Sequence, residues 1–162
     1  EISNTMEYRT IAGTNGRVEQ MCFAPDNIHL AATTSDGELL IWNVITGEKV
    51  LTSRASHSSV GLAYIEDGKK LVHVDESSNL AVLDLVTNEV KSMTDVYAMS
   101  FVVDEFKLMA YSLDHLGNIL YVNLKTMTLV KTVKIFNEFN FPFSRGSISK
   151  DGQLVAFGFN DS

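Results

Sequence analysis

The chain has 162 residues, and its content of 45% hydrophobic and 20% charged residues is that of a packed globular protein rather than a disordered one. Its 20 acidic residues outnumber its 13 Lys and Arg residues, and the formal net charge is −7. This balance argues against direct binding of nucleic acid or of an anionic membrane, because both need a positive protein surface. The sequence contains no run of eighteen apolar residues, so no membrane-spanning helix is predicted.

The ends of the chain and its cysteine content bear on the length of the parent protein and on its cellular compartment. The chain starts at Glu1 without a Met, ends inside a strand-like pattern and shows no secretory signal, so we expect it to be part of something longer. Its one cysteine, Cys22, cannot form an internal disulfide, which fits a reducing compartment. We therefore expect an intracellular location, cytoplasmic or nuclear. The Cys22 thiol is predicted to be structural, because no basic residue flanks it.

The first part of the chain predicts four short strands separated by turns. Gly tolerates positive φ and Asp or Thr can bond its own backbone, so Ser35-Asp36-Gly37 and Thr46-Gly47 favour turns. The third strand-like segment is nearly all apolar, as a strand covered on both faces should be. The predicted strands are 18–24, 29–34, 39–44 and a fourth that begins at 49.

The third strand of this unit and the turn after it recur twice in degraded form. Residues 41–47 are repeated at 82–88 and 121–127, and Thr46, Thr87 and Thr126 mark intervals of 41 and 39 residues. A period near forty with strands inside each period is typical of repeat folds that have several strands per unit. In each unit an aromatic residue also precedes a leucine by seven positions, which predicts equivalent places for these pairs. The pairs are Phe23 with Leu30, Tyr64 with Leu71 and Phe101 with Leu108, and a fourth unit opens with Ile148 and Val155 at the same spacing.

On these residues the sequence resembles the WD-repeat β-propeller family. The resemblance implies an all-β fold, a β-propeller of four-stranded antiparallel blades, of which this chain would form a fragment of about three and a half. Such rings commonly close with about seven blades, so the rest of the propeller is expected from the parent chain or from another chain. The predicted blades are approximately 14–53, 54–93, 94–135 and an incomplete 146–162, preceded at 1–13 by the outer strand of a preceding blade. The best match is Phe23-Ala24-Pro25-Asp26, Leu30-Ala31, Ser35-Asp36-Gly37 and Ile41-Trp42-Asn43.

In that family a His, a strand Ser or Thr, a turn Asp and a Trp form a buried chain of hydrogen bonds. The resemblance assigns structural roles to Asp36, Trp42 and, in the third unit, Asp114. Because only part of the hydrogen-bond chain is present, we expect these blades to rely more on apolar packing. The departures are Thr14 for the His, Ala32 for the hydroxyl, Ser77 for the second Asp, Leu83 and Val122 for the later Trp residues, and His115 and Leu116 as two extra turn residues.

The sequence shows no catalytic or metal-binding arrangement with useful spacing, and we predict no cofactor, no metal and no enzyme activity. His29 and His73 fall in second strands, where exposed or hydrogen-bonded positions are expected. Candidate binding residues lie instead near strand starts and turns that should open to one propeller face. They are Arg17, His57, Tyr97, His115 and Arg145.

The stretch 134–145 lengthens the connection between the third and fourth units and carries four phenylalanines. Alternating Phe and polar residues can continue the outer strand, with alternate rings packed against the next blade. Alternatively, Phe141, Phe143 and Arg145 are the anchors of a docking loop, because aromatic residues and Arg dominate interface energetics. Both interpretations stand at this point.

The predicted function is a non-enzymatic protein–protein interaction scaffold within a multiprotein complex, with other proteins or peptides as partners. A rigid ring presents its loops at fixed positions, so partner binding carries little ordering cost on the protein side. An alternative is a domain that recognises one peptide motif, such as a modified histone tail or a degron. It would use residues that converge around Arg17, His57, Tyr97 and Arg145. A third class, a propeller enzyme, would need converging carboxylates or metal ligands.

Overall fold

The structure, a computed structural model, describes residues 10–57, 61–98, 100–135, 143–149 and 153–159. Within these ranges every regular element is a β-strand, and the fourteen strands form three four-stranded sheets and one two-stranded sheet. All strand pairs are antiparallel and join neighbours in sequence. The prediction of an all-β chain of four-stranded antiparallel units is confirmed, whereas the predicted strand at 1–13 lies largely outside the described residues.

The strands run up and down within each four-stranded sheet, from a first strand at one edge to a fourth strand, here called the outer strand, at the other. The first sheet contains β1 (Val18–Phe23), β2 (His29–Thr34), β3 (Glu38–Asn43) and β4 (Lys49–Arg54). The second contains β5 (Ala63–Ile65), β6 (Lys70–Val74), β7 (Asn79–Asp84) and β8 (Val90–Tyr97). The third contains β9 (Ser100–Asp104), β10 (Met109–Leu113), β11 (Asn118–Asn123) and β12 (Thr128–Lys134), and the fourth β13 (Phe143–Ile148) and β14 (Val155–Phe159).

Each third strand ends on an Asn or Asp whose side chain folds the turn that follows. Asn43 Oδ1 accepts hydrogen bonds from the backbone N–H groups of Ile45 and Thr46, at 2.9 and 3.1 Å. Asp84 makes the same pair of bonds in the second sheet, and Asn123 makes it in the third. The repeated motif is therefore the sequence of a side-chain-stabilised turn, which explains why it recurs where the Trp does not.

Two apolar seams hold the three complete sheets together. The first seam packs Ala31, Leu39 and Ile41 of the first sheet against Tyr64, Leu71 and Leu83 of the second. The second seam packs Val72, Leu80 and Val82 of the second sheet against Phe101, Leu120 and Val122 of the third. Strand β7 contributes to both seams and is buried on both faces, as its apolar sequence predicts. Each buried leucine stabilises a seam by about 1.5–3 kcal/mol.

The first sheet has one face that no described sheet covers. Phe23 lies on that face and is 59% exposed, whereas Tyr64, at the equivalent position of the second sheet, is 6% exposed under the first sheet. Met21, two residues before Phe23 on the same face, is also exposed. The contrast shows what a neighbouring blade does for this position, and it fits a fragment of a larger ring.

The third unit departs from the register that the aromatic–leucine spacing predicted. Phe23 pairs with Leu30, but Phe101 pairs with Ser112 rather than with Leu108. Leu108 lies in the turn before β10, at a φ of 49°. The equivalence of Phe101 and Leu108 to the earlier pairs is therefore wrong. The connection between sheets is shorter here: two residues, 98–99, separate β8 from β9, whereas eight residues, 55–62, separate β4 from β5.

Trp42 lies on the same face of the first sheet as Phe23, because Leu30 pairs with both. It is buried and packs in a cluster with Ala32 and Leu40. Its indole Nε1 is buried without a hydrogen-bond partner in the described part of the chain. The tryptophan therefore stabilises the blade through apolar contact.

We expect Trp42→Ala to destabilise the protein by about 3–5 kcal/mol, because it removes a large buried ring and leaves a cavity. Val122→Ala, at the equivalent position of the third sheet, removes less volume and should cost clearly less. The urea midpoint of the two variants checks this. Equal midpoint shifts would show that Trp42 contributes no more than a valine there.

His73 is buried in the first seam and not at an exposed strand edge. It alternates with Val72 and Val74, which face the second seam, and its side chain is 1% exposed. Its Nδ1 lies 3.2 Å from the carbonyl oxygen of Val74, and its Nε2 is buried without a partner among the described residues. Burial lowers the pKa of His73, although the Val74 carbonyl and Asp75 act to raise it. The seam therefore holds a neutral imidazole.

This burial makes stability depend on pH. The unfolded chain takes up a proton near pH 6.5, whereas the native state resists it, so stability should fall as pH drops below about 6.5, by up to about 1.4 kcal/mol per pH unit. His73→Ser, which reproduces Ser112 at the equivalent place in the third sheet, should flatten this dependence. Urea unfolding between about pH 7.5 and about pH 5.5 measures it. Leu71→Val is the control, because it also weakens the first seam but removes no titratable group, and it should keep the wild-type slope.

Candidate functional site

One edge of the sheets, here called the upper edge, carries the β2–β3, β6–β7 and β10–β11 turns together with the ends of the outer strands. In the third sheet Asp114 Oδ1 accepts hydrogen bonds from the backbone N–H groups of Leu116 and Asn118, at 2.9 and 2.8 Å. Its Oδ2 accepts one from Asn118 Nδ2 at 2.7 Å. These bonds fix the turn and hold His115 at its tip.

Asp75 occupies the same place in the second sheet. Its Oδ1 accepts hydrogen bonds from the backbone N–H groups of Ser77 and Asn79, each at 2.9 Å. Partial burial acts to raise the pKa of Asp75, but hydrogen bonds from Ser92, Asn79 and Ser77 outweigh it and the pKa is lowered. An ionised Asp75 therefore stabilises this turn at neutral pH.

The first sheet builds its turn differently. Thr34 stands where the other sheets have Asp75 and Asp114, and its Oγ1 accepts a hydrogen bond from the Glu38 N–H at 3.1 Å. The Thr34 hydroxyl also donates to the Asp36 carboxylate. Between the last paired residues of their strands, all three turns contain five residues, at 34–38, 75–79 and 114–118. The alignment of Asp114 with Asp36, and the two extra residues it required, are therefore wrong.

Arg17 and His57 meet at the turn of the first sheet. The Arg17 backbone exchanges hydrogen bonds with Ser35, whose Oγ accepts from Arg17 N at 3.0 Å and whose N donates to Arg17 O at 2.8 Å. His57 Nδ1 lies 3.4 Å from the Ser35 carbonyl oxygen. The Arg17 guanidinium is exposed and pairs with Glu19 at 2.7 Å. Both candidate side chains are therefore accessible on the upper edge.

Tyr97 and His115 contact each other across the second seam. Their rings meet edge to face, with centroids 5.7 Å apart and an interplanar angle of 75°. At the equivalent place on the first seam, Arg54 Nε lies 3.8 Å from Glu76 Oε1. In both cases the last residue of an outer strand contacts the residue that follows the turn aspartate, Asp75 or Asp114, of the next sheet. The same contact between neighbouring sheets is therefore an ion pair at the first seam and an aromatic pair at the second.

The candidate residues form two groups rather than one converging set. Arg17 and His57 adjoin Ser35, Tyr97 adjoins His115, and no described contact joins the two pairs. Phe143 and Arg145 lie in β13, where their backbones pair with 159 and 158, and their side chains lie outside the described part of the structure. Phe141 also lies outside it.

Within the described ranges no three His, Cys, Asp or Glu side chains are placed to hold a metal ion. Burial raises the pKa of the Cys22 thiol to about 12, so the thiol stays protonated at neutral pH. None of the described residues forms a helix that could span a bilayer.

Comparison with solved structures identifies the architecture. The chain matches the structure of U3-55K with a TM-score of 0.68 and the crystal structure of RRP9 WD40 repeats with a TM-score of 0.70, at 16% identity to each. In both comparisons the match covers 85% of this chain and 44% of the other. The chain has the fold of a WD40 β-propeller. It spans less than half the length of these propellers, which confirms the prediction of a fragment. No protein-family model matches the sequence.

Three residues of the upper edge, Asp75, Arg54 and Glu76, were not predicted from the sequence. Asp75 was missed because the turn was aligned on Asp36, although the shared spacing of an Asp and an Asn four residues later, at 75 and 79 and at 114 and 118, could have revealed it. Arg54 and Glu76 carry no such signal. Their contact depends on the packing of two blades, which residue spacing within one blade does not encode.

We expect Asp114→Ala to destabilise the protein by about 1–3 kcal/mol, because it leaves partly buried turn amides without an acceptor. His115→Ala, one residue later, should change stability by less than about 0.5 kcal/mol, since its ring is exposed. Thermal unfolding of the two variants checks the distinction. A similar loss for both would mean that the tip residue also holds the turn.

Proposed function

We propose that this chain is part of a non-enzymatic scaffold that binds protein partners on the upper edge of its blades, within a multiprotein complex. The fold supports a platform role, because short turns on packed sheets hold side chains at fixed positions. The net charge of −7 favours protein or peptide partners over nucleic acid or membrane. A reduced Cys22 fits an intracellular location, cytoplasmic or nuclear.

The observation that carries the proposal is the aromatic pair at the second seam. Tyr97 is 51% exposed although its ring is held by His115. Leu116, which follows His115 in its turn, is exposed. Ile135, also exposed, donates a hydrogen bond from its N–H to the carbonyl oxygen of Gly117 in the same turn. A rigid, half-exposed aromatic ring among exposed aliphatic side chains has the composition of an interface anchor.

A second candidate function is recognition of one peptide motif, such as a modified histone tail or a degron. It draws on the first sheet, where Arg17 and His57 flank the Ser35 turn and offer donors to an acidic or modified side chain. Arg145, with Phe141 and Phe143, is a further proposed contact group. This function would require the Arg17 and Tyr97 groups to engage one ligand together.

The test uses the intact protein and a partner identified by affinity purification and mass spectrometry. Tyr97→Ala combined with His115→Ala should weaken partner binding by about 2 kcal/mol, roughly thirtyfold, because interface anchors of this kind carry most of the binding energy. Phe106→Ala is the matched control, since Phe106 is an aromatic residue exposed on the opposite edge. Binding is measured by calorimetry and folding by thermal unfolding.

Unchanged affinity in the Tyr97 and His115 variant would contradict the scaffold surface proposed here. If Arg17→Ala with His57→Ala abolishes binding instead, the motif-recognition function is favoured. Phe141→Ala with Phe143→Ala tests the remaining group. A lower affinity at unchanged melting temperature indicates docking, whereas a lower melting temperature at unchanged affinity indicates packing.

A further inference from the structure

A cavity of about 490 Å³ lies in the first seam at the lower edge, the edge opposite the β2–β3 turn. Its apolar lining comes from both sheets, with Ile41 and Leu51 on one side and Leu85 on the other. Polar side chains complete the lining, and they are those of Asp26, His29, Asp67, Lys69 and Asn88. Val50 and Val86 line its mouth, and both are mostly exposed, so the cavity is open to large molecules. Its volume and lining are those of a pocket that takes a ligand side chain.

The second seam provides an internal comparison, because the same cavity is nearly closed there. The equivalent space is about 90 Å³ and is lined by Val82 and Leu124, the counterparts of Ile41 and Leu85. Met127 lines it and packs onto the core of the second seam. The propeller fold by itself therefore does not require the larger opening in the first seam.

The lining residues differ at equivalent positions of the two cavities. Asn88 stands in the second sheet where Met127 stands in the third, at matching backbone φ values of 60° and 53°. The long thioether side chain that fills the second seam is thus missing from the first. Val86 also replaces Lys125, so at this one position the first cavity presents an apolar side chain where the second presents a charge.

The wall of the first cavity also contains an unused polar group. Tyr64 lines the cavity, and its hydroxyl is buried with no hydrogen-bond partner among the described residues. Buried polar atoms without partners are uncommon, and each has an energetic cost. Val103, which occupies the equivalent position in the second seam, has no such group.

We propose that the cavity of the first seam is a docking site for a short peptide segment of a partner protein, which inserts a methionine or leucine side chain between the two sheets. The inserted side chain takes the place that Met127 takes within the chain at the second seam. Ile41, Leu51 and Leu85 bury it. This site is separate from the upper edge and does not depend on the function proposed there.

The structure provides a variant that closes the site with the chain's own chemistry. Asn88→Met reproduces Met127 at a position whose backbone already has the required φ, so it should fill the cavity without distorting the turn. Asn88→Gly is the matched control, because glycine occupies the equivalent position, Gly47, in the first sheet and leaves the cavity open. Val86→Lys, which copies Lys125 of the third sheet, places a charge at the exposed mouth and tests the same site without changing the core.

The experiment selects peptides from a phage-displayed random library on the intact wild-type protein. We expect the selected peptides to share a Met or Leu anchor and, as synthetic peptides in fluorescence polarisation, to bind at least about tenfold more weakly to Asn88→Met and to Val86→Lys. Asn88→Gly and the Tyr97 and His115 double variant should bind as the wild type does. Thermal unfolding verifies that every variant is folded.

Three results would overturn the proposal. Selected peptides without an aliphatic anchor would exclude this kind of occupant. Equal binding to wild type, Asn88→Met and Val86→Lys would place the peptides elsewhere. Sedimentation that shows self-association abolished by Asn88→Met would identify the occupant as a second copy of this chain.

Discussion

Every sheet in this structure depends on burying its faces against the next sheet. The central strands are apolar on both sides, and β7 is buried by the first seam on one face and by the second seam on the other. A single four-stranded sheet could cover neither face alone, so the blades are stable only as a stack. The packing of these faces determines where the edges, the turns and the cavity lie.

Because the blades are held together by apolar faces, the repeats fold without most of the buried hydrogen-bond chain that is typical of WD repeats. The first sheet keeps a tryptophan, but its indole nitrogen has no partner in the described part of the chain, and Leu83 and Val122 serve at the same position elsewhere. What persists is the turn chemistry, in which Asn43, Asp84 and Asn123 each hold two backbone amides. Apolar faces and self-bonded turns are sufficient to define a blade.

The sequence predicted the fold well because period and turn chemistry are local properties. It predicted strand positions, the four-stranded unit and the fragmentary ring, since each depends on residues within about forty positions. It misplaced Phe101, because an accidental spacing of seven to Leu108 imitated the earlier pairs, and only strand register distinguishes them.

The candidate site was predictable in part for the same reason. Tyr97 and His115 were both selected from the sequence, but as separate residues of one face. Their contact depends on how two blades pack, as does the contact between Arg54 and Glu76. The seam cavity lay beyond prediction altogether, because it forms where two blades pack and is lined by residues far apart in sequence, such as Ile41 and Leu85.

The up-and-down order of the strands has a consequence for synthesis of the chain. Each sheet is complete within one stretch of sequence, so a blade can form as soon as that stretch leaves the ribosome, and the next blade then covers its exposed face. The Phe23 face of the first sheet lies outside this order of covering, because the later sheets described here pack on its other face. A sheet face that stays exposed until another blade packs on it is a surface that chaperones protect during synthesis.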